Sequence, residues 1–385
     1  MKKPLRIVSG VCNSINPAGC ISNVRRWVEA EKAFPRIEGG PRSVLVIGCS
    51  GGYGLAGRIS AAFGAGARTF GVSLDRPATV RKKATPGWYN NMAFDIASAE
   101  ADIFSETLLG DAFSNETREA VIERVRKNGM GAFDLVIYSL ASPIRKDPVT
   151  GEIRRSVIKP VGKALTGSTL DVATGKLSEV TLQPATEEEI NATVRVMGGE
   201  DWKLWIKALK KAGMLAHNGV TVALSYIGPE TTHAIYRSGT LGKAKEHLEA
   251  SAADINAMIA GDSGKAYVSV NRALVTRASI VIPIMSVYLC ALNKVLKARG
   301  LNEDCHDQMA RLLRDRLYRP DEEIPVDESG RIRMDDFEMR DDVQRETAEI
   351  LDRLTPEKVG ELTDWAGCRD ELFGLFGFSP DDCGK

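Results

Sequence analysis

Histidine is scarce: the 385-residue chain has four, His217, His233, His247 and His306, and none stands at a metal-ligand spacing from another. No metal site is expected. Cysteine supplies no Cys-x-x-Cys pair, and the seven cysteines, at positions 12, 20, 49, 290, 305, 368 and 383, are scattered and odd in number. That excludes a zinc ribbon and a disulfide scaffold and fits a reducing cytoplasm. Net charge is missing as well, with 51 Lys+Arg against 51 Asp+Glu, and basic runs such as Arg81-Lys82-Lys83 are short and offset by nearby acids. A nucleic-acid footprint would show as clustered basic residues on a net-positive domain, so no nucleic-acid partner is expected. Long hydrophobic runs are also lacking. The longest, Ala278 to Leu292, is shorter than the roughly 18 to 20 residues of a membrane crossing, contains Pro283 and lies between Arg277 and Lys294. It reads as a buried or cleft-lining helix, not a transmembrane segment. Pro17-Ala18-Gly19-Cys20 has a faint likeness to a lipoprotein cleavage site, but no uninterrupted apolar stretch separates it from Met1-Lys2-Lys3, so secretion is not expected.

What is present is the composition of a globular chain with a sizeable core, 43% hydrophobic and 26% charged. A short strand is expected over Leu5 to Val8, and a buried parallel strand over Ser43 to Ile47, where an apolar β-branched run ends abruptly at Gly48. A helix over Leu55 to Phe63 and a strand over Arg68 to Leu74 complete a βαβ unit. The alternation continues with a helix over Thr117 to Lys127, a strand over Phe133 to Ser139, a helix over Glu187 to Ala212 and a strand over Val220 to Tyr226. A helix over Leu241 to Ile259, a strand over Ala266 to Val270 and the long apolar helix follow. Strands alternating with helices predict an α/β fold with a doubly wound parallel sheet, Rossmann and short-chain-dehydrogenase-like. Residues 144–185, dense in Pro, Gly, Lys and Thr, break the rhythm and read as an active-site insertion. Residues 1–300 are expected to form the dinucleotide-binding and catalytic domain. Residues 301–385 read as a charged, helical extension packed on the same core, with a small hairpin or turn at Asp327 to Arg333.

Directly after the first strong strand stands Gly48-Cys49-Ser50-Gly51-Gly52-Tyr53-Gly54-Leu55-Ala56-Gly57. Gly48, Gly52 and Gly54 give Gly-x3-Gly-x-Gly, the spacing of short-chain dehydrogenases, and Gly52, Gly54 and Gly57 give Gly-x-Gly-x-x-Gly. Glycine is needed there because a side chain would keep the backbone from a pyrophosphate, whose charge the free amides at a helix start stabilise. An acid follows at the expected distance: Asp75, 21 positions after Gly54, where a carboxylate can accept from the adenosine ribose hydroxyls and repel a 2′-phosphate. NADH is therefore expected over NADPH, with Arg76 the neighbour able to moderate that preference. Asp111 follows a Leu-Leu strand end, where it can meet the adenine amino group or serve as a helix N-cap.

Ser225-Tyr226-Ile227-Gly228 closes a late strand, Tyr236 stands ten residues on, and Lys245 nine beyond that. At about 100° per residue a nine-residue offset puts two side chains on opposite faces of one straight helix. Ser238-Gly239-Thr240 supplies a break, so Tyr236 is expected in a loop or preceding turn and Lys245 on the helix, both turned towards a nicotinamide.

With this Tyr-x8-Lys pair the sequence resembles the FabV-type enoyl reductases and the trans-2-enoyl-CoA reductases, over almost the whole chain. Matching stretches include Gly48 to Ala56, Gly87-Trp88-Tyr89-Asn90, Gly110-Asp111-Ala112-Phe113-Ser114, Tyr138 to Pro143 and Lys159-Pro160-Val161-Gly162. Others are Val196 to Trp202, Leu274-Val275-Thr276 and Leu375-Phe376-Gly377-Phe378. Departures are Asp75 where a longer Glu is familiar, Arg277 in place of Gln, and Ser286-Val287-Tyr288 in place of Pro-Leu-Tyr. The resemblance implies NADH contacts at Gly48, Cys49, Ser50, Gly51, Gly52, Tyr53, Leu74, Asp75, Asp111, Ala112, Leu140, Ala141, Lys245, Leu274, Val275 and Thr276. It assigns Tyr226 to substrate and Tyr236 to proton donation.

The implied activity is NADH-dependent reduction of the trans-2 double bond of an enoyl thioester, carried by coenzyme A or acyl carrier protein, in fatty-acid synthesis. Tyr236 would meet the charge developing on the thioester oxygen, and Lys245 would hold the nicotinamide ribose. Glu200, Asp201 and Trp202 are read as structural, and Ile280 to Leu292 as either acyl-channel lining or plain core. The competing readings are a short-chain dehydrogenase acting on a carbonyl or hydroxyl group, disfavoured by the missing Tyr-x3-Lys, and a non-catalytic dinucleotide sensor, which need not retain Tyr236 and Lys245. A cytoplasmic monomer or small homo-oligomer is expected.

Overall fold

The run Ser43-Val44-Leu45-Val46-Ile47 forms strand β1 (Ser43–Ile47) of a seven-stranded sheet, and all five residues are buried. Side chains alternate across a strand. Leu45 and Ile47 therefore join one core, with Trp202 and Trp205, while Val44 and Val46 join another, with Met309 and Leu312. A strand covered on both faces needs no polar side, which is why the run is continuously apolar. The computed structural model describes residues 5, 7, 8, 11, 12, 14–320 and 322–382.

The other main-sheet strands are β2 (Arg68–Ser73), β3 (Ser105–Leu109), β4 (Phe133–Tyr138), β5 (Leu215–Ser225), β6 (Lys265–Val270) and β7 (Arg331–Arg333). Their order is β7-β6-β5-β4-β1-β2-β3 and every pairing is parallel. The chain winds outward from β1 in both directions, so the order reverses between β1 and β4. Helices cover both faces: α1 (Pro17–Ala33), α2 (Gly52–Ile59), α3 (Pro86–Glu100), α4 (Asn115–Lys127), α5 (Glu187–Met197), α6 (Glu200–Lys211) and α7 (Thr240–Ile259). After them come α8 (Met285–Ala298), α9 (Cys305–Leu312), α10 (Asp341–Asp352) and α11 (Trp365–Gly374). No helix among the described residues is long and apolar enough to cross a membrane.

Several elements differ from expectation, each for a local reason. The helix expected over Glu187 to Ala212 is two, broken at Gly198-Gly199. A Cβ on Gly199 would run into Ser251 of α7, and the Gly199 N–H donates to His247 Nδ1 at 3.0 Å. The glycine pair is thus the contact that lets both helices press on α7. The apolar run Ala278 to Leu292 does not begin as α-helix: Ser279–Val281 forms only a 3-10 turn. Pro283 and Ile284, the latter at φ 71°, form a turn, and α8 starts only at Met285 and continues to Ala298. The hairpin or turn expected at Asp327 to Arg333 is a turn into β7, the edge strand beside β6. Of the expected strand Leu5 to Val8, Ile7–Val8 pairs antiparallel with Val11–Cys12, and Arg6 lies outside the described residues.

The insertion forms two antiparallel hairpins, Ile144–Lys146 with Ile153–Arg155 and Leu165–Asp171 with Lys176–Leu182. The second is tied to the start of α8, where Ser286 Oγ accepts the Leu170 N–H at 3.0 Å. Gly167 sits so close to Ile284 that an added Cβ would press on its Cδ1 at 3.0 Å.

Candidate active site

Every expected contact residue except Lys245 follows the carboxyl end of a main-sheet strand: Gly48 to Tyr53 after β1, Leu74 and Asp75 after β2, Asp111 and Ala112 after β3. Leu140 and Ala141 follow β4, Tyr226 and Tyr236 follow β5, and Leu274 to Thr276 follow β6. Because all the strands are parallel, these ends lie along one edge of the sheet. In open α/β sheets that edge holds the ligand crevice, at the point where strand order reverses.

That point lies between β1 and β4, and its turn is built by glycine. Gly48 has φ 90°, and a Cβ there would strike the Ser139 carbonyl oxygen at the exit of β4. The Ser139 N–H donates to the Ile47 carbonyl at 2.8 Å, fixing the two strand ends together. Gly54 faces the Gly48 carbonyl so closely that no side chain fits, and Gly57 lets α2 settle against Ile137 of β4 and Met309 of α9. Gly51 differs: a Cβ there would meet nothing within 4 Å. It is the N-cap of α2 and no side chain caps it, so the first amides of the helix face the open side of the turn. A pyrophosphate fits such a cradle.

Around the turn the chain is anchored from below. Asn90 Nδ2 donates to the Ser50 carbonyl at 2.9 Å, and the Tyr53 hydroxyl to the Arg272 carbonyl at 2.8 Å. Asp75 is half-buried, with Oδ1 accepting the Thr85 hydroxyl at 2.6 Å, and Gly87 packs against both carboxylate oxygens. Leu74 beside it is 74% exposed, an apolar surface at the strand end. Asp111 Oδ1 accepts the Phe113 N–H at 3.0 Å, while the N-cap of α4 is Ser114, not Asp111. The buried Trp205 indole donates to the Ala112 carbonyl at 2.9 Å and pins that loop to the core. Ser279 Oγ donates to the Leu274 carbonyl at 2.5 Å and accepts the Thr276 N–H at 2.9 Å, which shapes the loop beyond β6.

The break between Tyr236 and Lys245 is where the sequence requires it. Tyr236 ends a single turn, His233–Tyr236, and Lys245 lies in the second turn of α7. Gly239 bridges to Pro160, and the Thr240 N–H donates to the Lys159 carbonyl at 3.0 Å, so Lys159-Pro160 clamps the break. Gly242 makes it tight, since a Cβ there would overlap the Arg237 carbonyl. Burial pushes the Lys245 ammonium down to about 8, with Glu249 opposing the shift. Burial also holds the Tyr226 and Tyr236 phenols well above the usual tyrosine range, the Glu338 charge adding to both. The two rings meet edge-on, centroids 4.6 Å apart at 83°. Neither Tyr236 nor Lys245 has a side-chain hydrogen bond among the described residues.

Sequence reasoning missed Glu338. It stands in Asp335-Asp336-Phe337-Glu338-Met339-Arg340, within the extension expected to be charged and helical, yet its side chain is fully buried and accepts the Tyr226 hydroxyl. Asp201 is structural as expected: it pairs with Arg118 and accepts the Tyr138 hydroxyl at 3.1 Å, while Trp202 donates to Thr221 Oγ1 at 2.8 Å. Asp304, His306 and Asp307 cluster closely enough to hold an ion. Their groups are already spent: Asp304 and Asp307 form the capping box of α9, and His306 Nε2 meets Glu31 at 2.7 Å.

Family profiles match nearly the whole chain. "NAD(P)H binding domain of trans-2-enoyl-CoA reductase" covers residues 3–80, "Trans-2-enoyl-CoA reductase catalytic region" 82–318, and "Enoyl reductase FAD binding domain" 326–383. A Treponema denticola protein named trans-2-enoyl-CoA reductase (NADH) is 50% identical over 384 residues, covering 98% of this chain and 96% of its own. A Coxiella burnetii protein named enoyl-acyl-carrier-protein reductase (NADH) is 48% identical over 369 residues, covering 96% and 91%. The crystal structure of the Treponema denticola reductase in complex with NAD superposes with a TM-score of 0.93 at 49% identity, covering 98% of this chain and 95% of that one. A flavin does not fit the carboxyl-terminal segment. Within it Glu338 is turned towards Tyr226, Tyr288 and Ala273 and Asp335 towards Arg333, and its described residues form no glycine-rich strand-to-helix turn.

Proposed function

The chain belongs to the trans-2-enoyl-CoA reductase family, and on that premise we propose how its own residues divide the reaction. It is an NADH-dependent oxidoreductase that reduces the trans-2 double bond of enoyl thioesters, a step of fatty-acid synthesis. The observation that carries the residue assignment is the convergence of the glycine turn, Asp75, the Tyr226–Tyr236 pair and the Leu274 to Thr276 loop on one edge of the sheet.

NADH supplies the hydride, which adds to the β-carbon of the enoyl thioester while negative charge builds on the thioester oxygen. Tyr236 is the donor to that oxygen. Its unpartnered hydroxyl, buried in a low-dielectric wall, hydrogen-bonds the developing charge and supplies the proton. Lys245 holds the nicotinamide ribose and adds a positive field. Gly48 to Tyr53 cradle the pyrophosphate against the amides of α2, Asp75 receives the adenosine ribose hydroxyls, and Asp111 and Ala112 border the adenine. Leu140, Ala141 and Leu274 to Thr276 line the nicotinamide side, and Tyr226 positions the thioester. Residues 1–300 serve as the catalytic domain, and 301–385 as an extension packed on its core through Met334, Val343 and Phe376. The protein works in the cytoplasm as a monomer or small homo-oligomer.

NADH oxidation with crotonyl-CoA, with an enoyl-acyl-carrier-protein and with a 3-ketoacyl thioester tests the reading. Turnover is expected with an enoyl substrate and not with the ketoacyl one; the reverse would make the protein a carbonyl reductase.

A further inference from the structure

The Glu338 carboxylate takes no part in the assignment above, yet it governs one of the two tyrosines. Its Oε1 accepts the hydroxyls of Tyr226 and Tyr288, each at 2.8 Å, and its Oε2 accepts the Ala273 backbone N–H at 2.6 Å. A carboxylate can only accept, and a phenol has one hydrogen to give. The Tyr226 hydrogen is therefore spent on Glu338, while the Tyr236 hydroxyl, on the ring packed edge-on against Tyr226, has no partner among the described residues. Of the two phenols, one has its hydrogen committed and the other does not.

We infer that Glu338 is a positioning residue that holds the Tyr226 hydroxyl hydrogen away from the substrate and so leaves Tyr236 as the only phenolic donor to the thioester oxygen. The inference rests on the proposed roles of Tyr226 and Tyr236. It explains why a carboxylate, costly to bury, stands beside tyrosines that a neutral acceptor could also orient. The Ala273 N–H makes it testable by an isosteric change. In Glu338→Gln the carbonyl oxygen of the new amide must face that N–H, since two donors cannot pair, so the NH2 group faces Tyr226 and Tyr288. Tyr226 then becomes an acceptor towards residue 338 and its hydrogen is released towards the substrate.

The test compares Tyr236→Phe, Glu338→Gln and the double variant by single-turnover reduction of an enoyl thioester. Tyr236→Phe should be slowed by about 10² to 10³, the usual effect of losing one oxyanion donor. Adding Glu338→Gln should restore at least about tenfold of that loss as Tyr226 takes over donation, and adding Tyr226→Phe to the pair should abolish the recovery. A merely structural Glu338 predicts the opposite, a further loss in the double variant. Wild-type turnover in Tyr236→Phe would refute the donor assignment itself. A slow Tyr236→Phe that Glu338→Gln does not relieve would refute this inference alone.

Should Glu338→Gln fail to fold, acidification of Tyr236→Phe makes the same comparison. Burial lifts the Glu338 carboxyl above the usual carboxylate range. The titratable and charged groups facing it are Tyr53 on α2, Tyr226 at the end of β5, Tyr236 on its short turn, Tyr288 on α8 and Arg272 beyond β6. The four phenols are already protonated, so Glu338 is the one that gains a proton as pH falls. The proton belongs on Oε1, because Oε2 faces the Ala273 N–H, and from there it is donated to a tyrosine oxygen. Residual turnover should climb at low pH and lose that climb when Tyr226→Phe is added; a flat profile would overturn the inference.

Discussion

Alanine at Gly51 and alanine at Gly54 separate what the fold requires from what the cofactor requires. Gly51 is extended, at φ −174° and ψ 170°, a conformation any residue adopts, and an added methyl meets nothing within 4 Å. Replacing an N-cap glycine by alanine costs about 0.5 kcal/mol, and the smaller entropy of the unfolded chain returns about 0.4 to 1 kcal/mol. The melting temperature should therefore stay within error. Yet the methyl stands on the open side of the turn, where the pyrophosphate is proposed to lie, so NADH affinity should fall at least about tenfold, or 1.4 kcal/mol. Gly54→Ala behaves otherwise. Its methyl would overlap the Gly48 carbonyl and reach the Ser139 Cβ at 3.2 Å, and Gly48 cannot retreat because it already lies against the Ser139 carbonyl. An overpacked site of this kind loses about 1 to 3 kcal/mol, so both melting temperature and NADH affinity should drop. Thermal melts of the free protein and calorimetric titration with NADH read the two quantities. Gly51→Ala binding NADH like the wild type would remove the pyrophosphate from this turn, and Gly54→Ala melting like the wild type would refute the close-approach argument.

Tyr236→Phe should lower turnover by about 10² to 10³ with NADH affinity nearly unchanged, whereas Lys245→Met should weaken NADH binding as well, because charge and ribose contact go together. Equal losses of NADH affinity in the two variants would undo the division of roles. Lys245 is charged below about 8 and neutral above it, so kcat/KM for NADH should fall as pH rises through that value. Lys245→Arg, which keeps its charge, should move that limb upward; a limb that stays put belongs to another group. NADH should outperform NADPH, since Asp75 keeps Oδ2 for a ribose hydroxyl while Thr85 occupies Oδ1, and the carboxylate repels a 2′-phosphate. Equal efficiency with NADPH would instead make the exposed Arg76 a phosphate anchor.

The parts of this molecule that were legible in the sequence are those whose cause is local. β1 announced itself because burial on both faces demands an unbroken apolar run, and its exit did so because a left-handed Gly48 and a side-chain-free Gly54 are the way to pass a strand end under a helix start. The Tyr236–Lys245 break was equally readable, since nine residues cannot share one helical face and Gly239 lies between them. What escaped depends on neighbours far along the chain. The Gly198-Gly199 break is set by the surface of α7, and the late start of α8 by the hairpin that Ser286 and Ile284 receive. β7 is too short and charged to carry a strand pattern and exists because β6 offers it an edge. Glu338 is the extreme case. Its acceptors are filled from positions 112, 50 and 65 residues away, and nothing in its own charged neighbourhood distinguishes it from Asp335 and Asp336 beside it. Asp336 two residues earlier pairs with Arg311 and Arg316 near the surface, while Glu338, on the next inward-facing position, meets two phenols and an amide. The same charged stretch therefore gives Asp336 to surface arginines, Asp335 to Arg333, and Glu338 to Tyr226 and Tyr288, a division fixed by the closure of β7 onto the sheet rather than by local sequence.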